Sequence, residues 1–540
     1  MALDLRDKRG LLIDDIPEMR ASVRVQLSNV GLENCDPVRN VKEAVDKLTL
    51  NRYDLVICDY NLGQGADGQQ LLELVRRRKL LPLSTVFLMI TGETGYEQVS
   101  TAAEFSPDDY LIKPFTAETL GGRLIRAMEK KAALAPIYRH MTDKGDPALA
   151  VEACDQLLAE KSRYSLDVLR IKGDLLLSQG RHTEALALYE SVLQQRETPW
   201  GAVGRARALA AMGNTDQARE HLEGAVAAYP NYLAAYDSLA QLLETTDKQA
   251  AQQVVEQALK VSASTRRQRQ LGALALENKD FGRAENAYRQ TVVRDRSGFF
   301  KSHDDYAGLA KSCAEQGKTQ EALTAVKDMA QHFQRTPELE ARQAALESQV
   351  QIKAGNKEAA EAALKKALKT GEGNTLDPQT SLEIAQACFA NGEEERGKQI
   401  IQTVAEEYHE DDHVFALAQS VFTAAGLEDE GQVLLEATRK RMIKLNNDAV
   451  ALAKAGDLDQ AIGMLTEAAD RLANNAQVAI NAGLALLMHV QAHGADLDRV
   501  TQAHRYLSQA RRANPDHPKL DDVVGFYRRL APPEAPVLED

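Results

Sequence analysis

Asp59 ends the apolar run Tyr53-Asp-Leu-Val-Ile-Cys-Asp59, a place where a carboxylate has no packing role. Asp14-Asp15 closes an earlier run, Leu11-Leu-Ile13; Thr91 closes the run Thr85 to Ile90, and Lys113-Pro114 closes Tyr110-Leu-Ile112. Carboxylates gathered at one edge repel each other by roughly 4 kcal/mol per close pair at an effective dielectric of ~20. They need a cation, and hard, all-oxygen ligands select Mg2+ over zinc or copper. A carboxylate beside such an ion can attack phosphorus to give an aspartyl phosphate. A lysine can pair with one phosphoryl oxygen and a threonine hydroxyl can donate to a second. These residue types fit phosphoryl transfer onto Asp59.

The elements that must bring them together are buried strands. Short runs of Leu, Val and Ile without alternation read as strands covered on both faces. They alternate with amphipathic stretches such as Glu18 to Val30 and Gln69 to Arg78, the pattern of βαβ units with right-handed crossovers. In open parallel sheets chemistry collects outside the carboxyl ends of the strands, where all of these polar residues fall.

The order Asp14-Asp15, Asp59 with Asn61 two residues on, Thr91-Gly-Glu93 and Lys113-Pro-Phe115 closely resembles the receiver domain of two-component response regulators, of the chemotaxis type, over about residues 8 to 130. The resemblance implies a flavodoxin-like α/β fold with a doubly wound, five-stranded parallel sheet. It implies Asp59 as phosphoacceptor, with Asp15, Asp59 and the Asn61 carbonyl as Mg2+ ligands and Asp14 acting through water. Thr91 and Lys113 become the pair that senses the phosphoryl group, and Tyr110 the switch aromatic that rotates inward. The partner implied is a histidine kinase or phosphotransfer protein, and a homodimer through the receiver is a further option. A competing pattern, Gly63-Gln-Gly-Ala-Asp-Gly68, spells G-x-G-x-x-G between a strand and a helix. An acid ending the strand would oppose a pyrophosphate, and the motif follows the third strand and not the first, so Gly68 is read as the turn into the next helix.

From about Ala117 the strand signals stop and Ala, Leu, Gln and Glu recur with helical spacing. A small residue returns in one register at Ala150, Ala185, Ala218, Ala251, Ala284, Ala322, Ala360, Gly397, Gly431, Ala461 and Ala503, and a glycine precedes eight of these by five residues. The physical reading is a helix, a turn with a glycine at positive φ, and a second helix whose small residue admits its partner closely. Stacked hairpins of this kind form a one-dimensional solenoid. Segments such as Gly180-Arg-His-Thr-Glu-Ala-Leu-Ala-Leu-Tyr189 resemble the tetratricopeptide repeat, which implies an all-α TPR solenoid that binds a protein or peptide. Residues 1–130 are expected as receiver and 131–518 as ten or eleven hairpins, the first using the segment after Pro136. Residues 519–540 are expected as a C-terminal helix and a Pro-rich acidic tail, disordered or a short tether. His489 to Leu497 reads as an inserted loop. Tyr236, Arg266 and Arg269 are partner-binding candidates from the register alone.

The remaining features narrow the function. The chain of 540 residues has a formal charge of −14, which gives no basic footprint for nucleic acid; clusters such as Arg266-Arg-Gln-Arg269 read as solvated helix faces. Five cysteines without a C-x-x-C fit a reducing cytoplasm. The charged start has no signal-peptide core, and no apolar stretch approaches the length of a membrane span. His409-Glu-Asp-Asp-His413 spells H-E-x-x-H, yet falls at an inter-repeat turn, so an exposed polar loop is expected in place of a zinc peptidase site. Trp200 is expected in the core. The leading expectation is a phosphorylation-controlled interaction protein, not an enzyme. The alternatives are a constitutive scaffold capped by an unphosphorylated receiver, and an enzyme: the zinc peptidase, or a phosphatase turning over on Asp59.

Overall fold

The computed structural model describes residues 5–63, 66–92, 107–142, 145–295, 299–374, 376–494 and 496–538. Gln64, Gly65 and Glu93 of the motifs above lie outside them. Five strands, β1 (Arg9–Ile13), β2 (Asn34–Val38), β3 (Leu55–Asp59), β4 (Val86–Thr91) and β5 (Asp109–Ile112), form one parallel sheet in the order β2-β1-β3-β4-β5. Every residue of β3 and β4 is buried, and successive side chains serve opposite faces. Val56, Cys58, Phe87 and Met89 pack with helices α2 (Val41–Leu50) and α3 (Gly68–Arg77). Leu55, Ile57, Leu88 and Ile90 pack with α1 (Pro17–Asn29) and α4 (Ala117–Tyr138). Each fully buried Leu or Ile contributes about 1.5–3 kcal/mol, so both faces are strongly specified.

Strand β2 has no counterpart among the apolar runs. It lies at the sheet edge, carries Pro37, and buries only Cys35 and Val38, a pattern that an edge strand tolerates because one row of its backbone groups needs no partner.

The boundary expected at residue 130 falls inside α4. The first half of this helix (Leu120, Leu124, Ala127, Met128) belongs to the sheet core, while Leu134 and Ile137 join the first solenoid helices. Buried Lys131 sits between the two, its ammonium on Leu83 O at 2.7 Å and on Asp108 at 2.8 Å. Pro136 lies within the helix, so the first hairpin uses α4 itself and not a segment beginning after that proline.

The chain divides into compact units after Leu309. The first contains the sheet domain, α5 (Pro147–Ala159), α6 (Ser165–Ser178), α7 (His182–Gln195), α8 (Pro199–Ala211), α9 (Thr215–Ala228), α10 (Leu233–Leu243), α11 (Lys248–Val261), α12 (Thr265–Glu277), α13 (Phe281–Arg294) and the start of α14 (His303–Glu315). The second continues with α15 (Thr319–His332), α16 (Pro337–Lys353), α17 (Lys357–Gly371), α18 (Pro378–Ala390), α19 (Glu394–Glu407) and α20 (Asp412–Ala424). It ends with α21 (Glu428–Ala455), α22 (Leu458–Arg471), α23 (Ala476–His493), α24 (Leu497–Ala513) and α25 (Leu520–Leu530). All eleven small residues of the register are buried. Each is the fourth residue of its helix except Ala503, the seventh. A small side chain there lets the paired helix approach, as where the Phe422 ring fills the space a Cβ on Gly431 would need.

Seven of the eight register glycines have positive φ. Lys279, five residues before Ala284, takes the same turn at φ 60° without being glycine. The short step from Gly431 to Ala461 arises because α21 runs unbroken through the place of an inter-repeat turn. His489 to His493 is helical and not an inserted loop. The tail is ordered through Leu538: that side chain is buried against α25, and Tyr527 donates its hydroxyl to Pro536 O at 2.6 Å. No helix among the described residues is long and apolar enough to cross a membrane.

Candidate functional site

Sheet register assembles the site. Ile13 lies opposite Cys58 across β1 and β3, so Asp14 and Asp59 leave adjacent strands side by side. Thr91 ends β4 opposite Ile112 of β5, and the Lys113 N–H donates to Thr91 O at 2.8 Å. Carboxylate oxygens of Asp14, Asp15 and Asp59 all lie within 4.8 Å of one another. Asp14, Asp59 and Thr91 are buried, and Asp15 is half-buried. Lys113 reaches over from β5 to place Nζ 2.9 Å from Asp59 Oδ2 and 3.5 Å from Asp14 Oδ2.

The loops at this edge are shaped by close approach. Gly68, the first residue of α3, donates its N–H to Tyr60 O at 2.8 Å. A Cβ on it would come within 2.3 Å of the Asp59 carbonyl oxygen, so the glycine of the G-x-G-x-x-G pattern serves helix-to-strand packing. Gly63, at φ 70°, abuts the Asp15 carboxylate, which a Cβ would meet at 2.6 Å. Asn61 is exposed at the rim, its Oδ1 accepting from the Gly63 N–H. Tyr110 is half-buried and packs against the apolar layer under α2 and α3.

Burial pushes the Asp59 carboxyl above the usual aspartate range; the Lys113 hydrogen bond and charge pull it back, and the Asp14 carboxylate opposes ionisation. Cys58 is fully buried, and burial lifts its thiol far from reactivity. Three carboxylates against one ammonium leave an anionic, oxygen-lined cradle, a donor set that fits a hard divalent cation and not a soft one.

The other predicted positions lie in the solenoid, away from this cluster. Tyr236 is buried and donates its hydroxyl to Pro230 O at 3.0 Å. Arg266 pairs with Asp237 at 2.8 Å. Arg269 grips Asp305 at 2.6 and 2.7 Å and also donates to Phe300 O at 3.0 Å. Arg267, which the register did not single out, is the buried member of this cluster and binds Asp237 through two nitrogens. The basic run 266–269 is thus an internal ion-pair network and not a solvated face. His409 does lie between helices, but it is buried, with the Asn475 amide donating to its Nδ1 at 3.0 Å. His413 is exposed at the start of α20, so the two imidazoles do not form a pair. Trp200 is half-buried, edge-on to Tyr189 at 6.2 Å.

Known proteins share both parts of this architecture. Residues 11–125 match the response regulator receiver domain. Chemotaxis protein CheY-3 of Vibrio cholerae serotype O1 is 34% identical over 125 residues, which span 23% of this chain and 95% of that protein. The chain belongs to the response regulator receiver family. Chemotaxis protein CheY of Pseudomonas aeruginosa is 31% identical over 123 residues, 22% of this response regulator and 95% of the relative. Residues 143–199 and 176–243 match the tetratricopeptide repeat. A tetratricopeptide repeat protein from Parabacteroides merdae aligns at 20% identity over 45% of this chain and 94% of its own, with a TM-score of 0.30. The family matches themselves make this response regulator a signalling protein whose receiver is followed along the chain by tetratricopeptide repeats.

Proposed function

We propose that Asp59 accepts a phosphoryl group from a histidine kinase or phosphotransfer protein, and that the solenoid is the output, docking a protein or peptide according to that state. The observation that supports this reading most directly is the convergence of Asp14, Asp15 and Asp59 within 4.8 Å, with Lys113 Nζ 2.9 Å from Asp59. Asp15, Asp59 and the Asn61 carbonyl would hold Mg2+, with Asp14 acting through water; the ion, when bound, neutralises charge gathering on the phosphoryl oxygens. Asp59 supplies the nucleophilic oxygen. Its bond to phosphorus forms as the bond from phosphorus to the donor imidazole nitrogen breaks, and that nitrogen leaves with the electron pair. Lys113 pairs with one phosphoryl oxygen and the Thr91 hydroxyl donates to a second.

Tyr110 packs on the layer beneath α3, a position from which it would rotate once Thr91 engages the phosphoryl group. The protein turns over nothing beyond its own aspartyl phosphate, and its setting is the cytoplasm, where the donor domains act. A second receiver is a further partner for the same surface. The test is to treat wild type and Asp59→Ala with acetyl phosphate and Mg2+ and compare captured partners. Partners that change in the wild type alone are expected; identical partners with and without the phosphoryl group would leave a constitutive scaffold.

A further inference from the structure

Among the described residues the receiver meets the solenoid in two places within the first compact unit, one of which, α4, simply follows the chain. The other brings together residues more than 200 positions apart. Arg294, the last residue of α13, points a guanidinium nitrogen at Asp67 Oδ2 at 3.8 Å while donating from another to Ala263 O at 3.3 Å. Phe299 packs against the apolar layer under α2 and α3. Phe300 lies beneath the guanidinium of Arg77, 5.8 Å from its ring centroid. The contact thus combines an ion pair, an apolar plug and a cation–π pair, and runs along α3 from its N-cap Asp67 to its last residue Arg77.

We propose that this contact, between α3 (from its N-cap Asp67 to its last residue Arg77) and Arg294, Phe299 and Phe300, is where the receiver reports phosphorylation to the solenoid, and that phosphorylation tightens it. The inference rests on Asp59 being the phosphoacceptor.

Three observations connect the contact to Asp59. Asp67 is the N-cap of α3, accepting from the Gln70 N–H at 2.8 Å in a reciprocal capping box. Its neighbour Gly68 is seated on the Asp59 carbonyl and tied to Tyr60 O. The start of α3 is therefore clamped to the end of β3 and cannot shift independently of it. Tyr110 and Phe299 also pack against one and the same apolar layer, so an inward turn of the tyrosine alters the surface on which Phe299 rests.

The direction follows from charge. Replacing a carboxylate by its acyl phosphate adds roughly one negative charge at neutral pH, beside the helix terminus that Arg294 already faces. A more negative receiver edge holds that guanidinium more firmly. By linkage, the docking of Arg294, Phe299 and Phe300 favours the phosphorylated state to the same degree.

The far side of the contact leads into the solenoid. Arg269 of α12 holds both Phe300 O and the buried Asp305 at the start of α14, and Asp295, at the end of α13, accepts from Thr265 at 3.4 Å. Arg269, which the repeat register marks as a partner-binding candidate, is here a positioning residue for Phe300, which meets the receiver.

The test is hydrogen exchange on the full chain with Mg2+, before and after acetyl phosphate, with intact mass measured on the same samples. In wild type the end of α13 is expected to exchange roughly twofold to fivefold more slowly once the phosphoryl adduct forms, the span expected for strengthening one partly exposed ion pair. Arg294→Ala should take up the phosphoryl group and show no slowing there. Asp67→Asn, which keeps a capping residue and removes the charge, should behave like Arg294→Ala. An adduct with unchanged or faster exchange at α13 in wild type, or equal slowing in either variant, overturns the inference and leaves Asp59 as phosphoacceptor. Absence of an adduct in wild type overturns both.

Discussion

Lys113 reaches Asp59 from two strands away, its ammonium 2.9 Å from one Asp59 oxygen and 3.5 Å from Asp14. It is the cation that lets three clustered carboxylates coexist. In Lys113→Ala the folded receiver should lose about 2 kcal/mol in EDTA, since a largely buried charge loses its partner. Mg2+ should then raise the melting temperature more in the variant than in wild type, because the ion replaces the missing charge. Thermal melts of both proteins with and without Mg2+ check this; an equal Mg2+ effect in the two would contradict it.

Gly68 is needed for space and not for an unusual backbone angle. Gly68→Ala would drive a Cβ to 2.3 Å of the Asp59 carbonyl and 3.0 Å of Met89 Sδ, and backbone on a buried strand yields little. We expect destabilisation of about 2–3 kcal/mol, read by urea denaturation. An unchanged midpoint would show that the end of β3 and the start of α3 separate freely, against the clamp on which the coupling to Asp67 depends.

The solenoid turns give two substitutions of opposite sign. Gly213 has φ 83° with open space around its Cα, so Gly213→Ala should cost about 1 kcal/mol through backbone strain alone. Lys279 occupies the equivalent turn at φ 60°, so Lys279→Gly should be neutral to stabilising by up to about 1 kcal/mol. Destabilisation by both would mean that the Lys279 side chain contributes more than its backbone costs.

These turns also show what the sequence could and could not convey. The eleven-fold register was legible because a helix contact that excludes any larger side chain leaves a mark at one position per repeat, from Ala150 to Ala503. The acidic cluster was legible because strand ends place Asp14, Asp59, Thr91 and Lys113 by topology alone. Strand β2 was not, since an edge strand with Pro37 lacks a buried run. Lys279 was not, because a left-handed turn built without glycine has no compositional signature. His409, Arg267 and Tyr236 read as surface or docking residues because their partners, Asn475, Asp237 and the Pro230 carbonyl, are fixed by how helices stack. The pairing of Asp67 with Arg294 belongs to the same class.

Asp295 gives a pH signature. It is buried at the end of α13, with Oδ1 on Thr265, Oδ2 without a partner among the described residues, Arg269 and Arg294 as nearby cations and Asp305 as a nearby anion. Burial pushes its carboxyl from the ordinary 3.8 up to about 6. The folded state therefore holds this proton more tightly than the unfolded chain, and the associated stability is present below pH ~4 and lost as pH rises towards ~6, by up to about 3 kcal/mol at ~1.4 kcal/mol per pKa unit. Asp295→Asn should melt higher relative to wild type at pH 7 than at pH 4. A constant offset between the two proteins across that range would contradict the assignment.

Everything proposed for the switch depends on Asp59, the buried carboxylate at the end of β3, taking up a phosphoryl group. Intact mass spectrometry after incubation with acetyl phosphate and Mg2+ tests it most directly, on wild type, Asp59→Asn and Lys113→Ala. One phosphoryl adduct is expected on wild type, none on Asp59→Asn, and slower accumulation on Lys113→Ala. An adduct that persists in Asp59→Asn, or a wild-type protein that remains unmodified, would contradict it.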